Sequence, residues 1–206
     1  MKSKNPHLYY ALLLNLGMLF ISTSGVLGRY IALPPPVSIW FRSLIAIVLL
    51  LLYARYKKFR FQINWKKHGA AVWWSGFFMA LHWITYFFAL QWSNVAIGML
   101  SLFTYPIITV FLEPFFIPVQ LQKRHLLLGI LILVGIYFLV PEFDLKNTAT
   151  QGLLIGLFSA LAYSLRNLIL KKHNAMGNGS IQMIYQLGVI VLLLLPVLWI
   201  YPEADL

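Results

Sequence analysis

Four charged residues stand inside long apolar stretches of this chain: Arg29, Arg42, Glu113 and Arg166. A charge at the centre of a bilayer costs about 2.5–3.5 kcal/mol on insertion scales, so each needs a partner, a route to the interface or a use. Arg29 lies near the end of its stretch, where a long side chain either snorkels to the headgroups or serves function. Arg42 sits roughly 9 Å inside the start of the next stretch. It either holds an anionic substrate group or bonds backbone carbonyls to pin its helix. Glu113 precedes Lys123 by ten residues and Arg166 precedes Lys171 by five, which is roughly 15 and 7.5 Å along a helix. Side chains at those depths could meet. The expectation is a Glu113–Arg166 ion pair, either a gate or a static bridge, with Glu113 also the group suited to proton coupling.

Uncharged polar groups keep company with these charges. Ser101, Tyr105, Thr109 and Glu113 recur every four residues, which puts them on one slowly drifting stripe of a helix. Pro106 interrupts that helix by leaving the carbonyl of Leu102 without its partner, and a kink beside a polar stripe is one way to line a binding cavity. Hydroxyls bonded back to their own turn are the alternative. Phe78, His82 and Tyr86 form a second such row, with Trp83 adjacent, suited to a flat or amphipathic metabolite or simply to a bonded core histidine. Ser159, Tyr163 and Asn167 align similarly, and Asn15 and Ser22 lie two turns apart. These faces are expected to point into a bundle, where small and polar residues let helices approach.

Seven apolar stretches must carry these groups: Leu8–Ile31, Pro36–Tyr53, His68–Ala89, Asn94–Val119, His125–Val140, Gln151–Ile169 and Ser180–Tyr201. About 20 apolar residues suffice to cross a bilayer as a helix. Continuous runs of this kind exclude a lipid-facing barrel, whose strands alternate. Twelve of the sixteen Lys and Arg fall in alternate connections: Lys2 and Lys4, then Arg55 through Lys67, then Lys123 and Arg124, then Lys171 and Lys172. The opposite connections hold Lys146 and four of the five acids, Glu142, Asp144, Glu203 and Asp205. Basic loops stay cytoplasmic, so the N-terminus is expected inside. The first stretch outruns a signal peptide's apolar core and is expected to persist. Phe59, Phe61, Ile63 and Trp65 alternate with polar residues, either on the headgroup surface or in a solvated loop.

Composition agrees. The chain is 61% hydrophobic and 10% charged, with a mean hydropathy of +0.80, too greasy for a soluble domain of this length. Its net charge of +11 is explained by cytoplasmic loops and anionic headgroups, so no nucleic acid is expected. Without cysteine there is no disulfide, thiolate zinc site or thiol nucleophile. One intramembrane acid and scattered histidines assemble no paired carboxylates or metal cluster, so neither enzyme nor cofactor is expected. Nothing resembles a nucleotide-binding P-loop.

The chain is also weakly self-similar. Leu19-Phe20 with Ser22, Ser24 and Arg29 parallels Leu157-Phe158 with Ser159, Ser164 and Arg166, and the run from Ile47 to Leu52 parallels that from Ile190 to Leu195. A five-span unit would be inverted in its second copy. Ser22-Thr23-Ser24-Gly25, Pro34-Pro35-Pro36, Trp40-Phe41-Arg42, Leu102 to Pro106, Leu112-Glu113-Pro114, Gly129, Gly135, Gly152 and Leu157 to Ala160 together resemble EamA-type transporters of the drug/metabolite transporter superfamily. The resemblance implies a glutamate near Pro118 and Val119, and Glu113 lies earlier, so that role is not carried to it. It also implies ten spans, the last three of which would be missing here.

The resulting expectation is an all-α polytopic membrane bundle of seven transmembrane helices with the N-terminus inside. Residues 1–146 form a first five-helix unit and 147–206 the start of a second. By resemblance it is a multi-pass cell-membrane exporter of small metabolites such as amino acids, driven without ATP, with protons the candidate coupling ion. A seven-helix sensor or accessory protein is the alternative. The expected substrate pathway comprises Arg42, His82, Tyr86, Ser101, Tyr105, Thr109 and Tyr163, with Glu113 and Arg166 as gate and Pro106 as kink.

Overall fold

The computed structural model describes residues 6–61, 63–121, 123–139, 144–173 and 178–201. Lys2, Lys4, Val140, Glu142, Glu203 and Asp205 lie outside the described residues, as do the side chains of Arg29 and Lys123. All regular structure among the described residues is helical: α1 (Pro6–Tyr30), α2 (Pro35–Tyr56), α3 (Trp65–Trp92), α4 (Val95–Leu102), α5 (Tyr105–Phe116), α6 (Lys123–Leu139), α7 (Thr148–His173), α8 (Gly179–Leu194) and α9 (Val197–Ile200).

The boundaries follow local chemistry. Pro35 and Pro36 open α2, where a missing N–H costs nothing and the fixed φ suits the first turn. Lys58 then takes a φ of 54°, and the Phe59 N–H returns to the Ala54 carbonyl at 2.9 Å to close the helix end. Asparagine side chains cap three later helices: Asn64 accepts from the Lys67 N–H, Asn94 from Ile97 and Asn178 from Ser180.

Among the described residues, five helical segments are long and apolar enough to cross a bilayer: His7–Gly28, Pro35–Tyr56, Val95–Phe116, Thr148–His173 and Gly179–Ile200. Two of them are broken. Phe103 and Thr104 separate α4 from α5, two residues ahead of Pro106, and Leu195 and Pro196 separate α8 from α9. α3 has 28 residues but carries Lys66, Lys67 and His68 at one end and several polar aromatics, which lower its hydropathy. In α6 the apolar run is only Leu127–Phe138.

α3 is the centre of the bundle. Its longest interface is with α7, and α8 and α2 close its other side. Ile39, Met79, Ala80, Phe87, Leu187, Ile190 and Leu194 form the principal core between α2, α3 and α8. Small residues mediate the α7 contact: Gly152, Gly156 and Ala160 are buried at four-residue intervals. A Cβ on Gly156 would collide with the Ser101 hydroxyl of α4, and one on Gly152 with the Ser93 side chain. Glycine is required at both places because the helices touch nearly backbone to backbone.

α1 and α6 lie at the periphery. α1 meets α3 and α4 through Gly25, beside Tyr86 and Met99, and Gly28, beside Phe87. Most of its other side chains are exposed. Asn15 and Ser22, expected to face the bundle, are exposed and bond the carbonyls of Ala11 and Leu19 in their own helix.

Candidate functional site

The polar interior is assembled where α3, α5, α7 and α8 meet, and His82 is buried at its centre. The imidazole is 5% exposed. Its Nδ1 lies 2.7 Å from the Ser159 Oγ, and that hydroxyl lies 2.9 Å from the His82 carbonyl oxygen. Serine has one proton to give. Both bonds form together only when the hydroxyl donates to the carbonyl and Nδ1–H donates to the hydroxyl. Ser159 therefore holds a proton on Nδ1 and joins α3 to α7.

Aromatic rings surround this pair. Tyr163 lies 4.6 Å from the His82 ring and 4.8 Å, edge to face, from Tyr105. Tyr86 stacks on His82 at 6.0 Å from the opposite turn of α3 and meets Phe87 edge-on at 5.8 Å. Arg42 of α2 extends this row. Its guanidinium sits 4.8 Å from the Phe87 ring centre and 5.7 Å from that of Trp83. Those distances suit cation–π contact, which is strongest where water is excluded. Four of the seven pathway residues, His82, Tyr86, Tyr105 and Tyr163, are thus adjacent, and Arg42 joins them through Phe87.

Ser101 and Thr109 are not part of this cluster. Spacing of four places residues on one stripe only in an unbroken helix, and the break at Phe103–Thr104 takes Ser101 out of register with α5. Ser101 is wholly buried against Gly156 and donates to the Gly98 carbonyl at 2.9 Å. Thr109 donates to the Tyr105 carbonyl one turn back at 2.7 Å. That carbonyl also receives the Ser164 hydroxyl of α7 at 3.0 Å, while the same hydroxyl lies 2.8 Å from the Ala160 carbonyl.

The expected Glu113–Arg166 ion pair is not formed. Glu113 pairs with Lys171 instead. The residue before a proline is driven to extended backbone, and Ile117, preceding Pro118, takes φ −138° and ψ 144° and ends α5 at Phe116. Glu113 consequently lies one turn from its helix end, level with Lys171. Arg166, five residues earlier on α7, is roughly 7.5 Å deeper.

Arg166 turns to α8. Its Nη2 donates to the Gln186 Oε1 at 2.8 Å and its Nη1 to the Asn167 Oδ1 at 2.9 Å, with the Tyr163 ring 5.9 Å away. Gln186 is 0% exposed and passes the connection to the buried Ser75 of α3 at 3.3 Å. Sequence reasoning missed Gln186, Ser75 and the role of Lys171. The available signal was Gln186 itself, an amide beside the apolar run from Leu187, which a membrane helix buries only against a partner.

The EamA-like transporter family model matches residues 8–140, well over half of the chain. The chain belongs to the EamA-like transporter family. No curated protein and no solved structure gives a significant match. With its five long apolar segments, this EamA member is a multi-pass membrane protein of a transporter family, whose members act on small molecules and are not enzymes. The matched region includes Arg42, His82, Tyr86, Tyr105 and Glu113, whereas Ser159, Tyr163, Arg166 and Gln186 come from outside it.

Proposed function

We propose that the chain is a secondary transporter that moves small metabolites, amino acids or related compounds among them, outward across the cell membrane without ATP. The observation that carries this reading is the interior cluster of His82, Tyr86, Tyr105 and Tyr163 on helices of membrane-crossing length, with one guanidinium at each end. Polar groups gathered inside membrane helices pair with one another and mark substrate pathways.

In this reading α3 and α6 cross as well, which gives seven spans. α3 is long enough and is enclosed by α7, α8 and α2, so it runs through the bundle with them. The N-terminus is inside, because Arg55, Lys57, Lys58, Arg60, Lys66, Lys67, Lys171 and Lys172 then share the cytoplasmic face. Residues 1–146 are the first repeat and 147–206 the opening of the second, a division supported by a family match that ends at residue 140. Arg42, His82, Tyr86, Tyr105 and Tyr163 wall the pathway. Glu113 with Lys171, rather than with Arg166, closes its inner end, and Glu113 is the candidate for proton coupling.

Counterflow in proteoliposomes tests the reading. Vesicles loaded with an amino-acid mixture should accumulate labelled amino acid from outside, and a pH gradient should change the rate if protons are coupled. Glu113→Gln and Lys171→Gln should each lower flux several-fold at unchanged protein abundance. Flux that is indifferent to both substitutions removes the gate; no flux with any metabolite removes the transporter.

A further inference from the structure

The charge balance of the interior cluster is one-sided. Arg166 and Arg42 both stand within it, half-buried, and neither meets a carboxylate among the described residues. Of the two acids described, Glu113 is held by Lys171, and Asp144 is exposed in the turn before α7, where it caps the Lys146 N–H. The Arg166 partners are neutral amide oxygens, and its Nε, enclosed by protein, has no acceptor among the described residues. Among the described residues, Arg42 meets the π faces of Trp83 and Phe87 and no carboxylate. The one imidazole, His82, turns its Nδ1–H to Ser159 and supplies no negative charge.

A guanidinium kept from water gains most from an anion that accepts two of its N–H groups side by side, which is the geometry a carboxylate offers. Gln186 and Asn167 hold the Arg166 fork in place while supplying none of the countercharge. Next to the fork lies the ring of Tyr163, on which Tyr105 and His82 pack in turn, a wall suited to an apolar or aromatic body.

We infer that this site takes a substrate of net negative charge, an apolar or aromatic monocarboxylate, with its carboxylate on Arg166 and its body against Tyr163, Tyr105 and His82. A zwitterion fits less well, because its ammonium would add a third cation to a site whose only nearby acid is already paired. This inference rests on the transport reading for its biological meaning, but the binding it describes can be measured without flux.

The test uses the full chain purified in detergent, with quenching of its own tryptophan fluorescence as the binding signal. The probes are 3-phenylpropanoate, 3-phenylpropanamide and phenylalanine, which share one skeleton and differ in charge. The carboxylate should bind about tenfold or more tightly than the amide, as expected for a charge-assisted bond, and more tightly than phenylalanine. Arg166→Gln should erase the preference for carboxylate over amide, and Arg166→Lys should restore part of it. Equal affinity for carboxylate and amide, a preference for phenylalanine, or no binding of the carboxylate would each overturn the inference. The comparison of probes on the wild-type chain decides the matter even where Arg166→Gln does not fold. Counterflow of phenylalanine without binding of 3-phenylpropanoate defeats the inference and leaves transport standing. Arg166-dependent binding without any flux does the reverse.

Discussion

The four helices α2, α3, α7 and α8 and the two helices α1 and α6 are built from similar apolar residues, yet they are held in different ways. In the first group, glycines and alanines bring backbones together, and polar side chains cross between helices: Ser159 to His82, Gln186 to Ser75, Arg166 to Gln186, Trp40 to the Val191 carbonyl. In the second, the polar side chains of α1 bond within their own turn and most leucines face outward. Lipid is as apolar as leucine, so greasiness gives helices no reason to associate in a membrane. Close packing and interhelical bonds decide which helices form the bundle.

Glycine substitutions give the largest contrast. Gly156→Leu should cost about 3 kcal/mol or more by driving α7 off α4, seen as loss of the monodisperse peak in detergent chromatography. Gly135→Leu on α6, where an added Cβ meets nothing within 4 Å, should change stability by about 0.5 kcal/mol or less. If both variants fold equally well, the two regions do not differ as described. Next in size is Gln186→Leu, which strands the Arg166 Nη2 and should cost about 1–3 kcal/mol in thermal unfolding. The matching change on α1, Asn15→Leu, should cost nothing measurable.

Ser159→Ala should be smaller, about 0.6 kcal/mol and at most about 1.7, the range of interhelical bonds in membranes. Its distinguishing effect is release of the proton held on the His82 Nδ1, visible in the imidazole nitrogen shifts by NMR. Lys171→Gln should have the least effect on stability, about 0–1 kcal/mol, because the Lys171 side chain is 60% exposed. A large destabilisation there would mean that the Glu113 pair holds α5 to α7 rather than closing a passage.

The sequence made the helices legible and left the pairings between them obscure. Runs of leucine and isoleucine mark spans by composition, and Pro34 to Pro36, Asn64, Asn94 and Asn178 mark their starts by local chemistry. His82, Tyr86, Tyr105 and Tyr163 could be singled out because each stands at four-residue spacing from another polar or aromatic residue of its span. The partner of Glu113 could not, since it depends on where α5 stops, and one extended residue before Pro118 moves the carboxylate from the level of Arg166 to that of Lys171. The Ser101 stripe failed for a related reason: the chain breaks at Phe103 and Thr104, ahead of the proline. Gln186 and Ser75 lie 111 residues apart in sequence, and no periodicity within one helix reports such a contact.

The Ser164 hydroxyl has a consequence for how α5 can move. It reaches the Tyr105 carbonyl of α5, but the Ala160 carbonyl in its own helix is equally near, and Thr109 also serves the Tyr105 oxygen. If α5 swings away below the break at Phe103, the serine can settle on Ala160 and the tyrosine oxygen keeps Thr109. Neither group is orphaned, so this attachment works as a latch that can be undone in the dry interior of the membrane and made again without penalty.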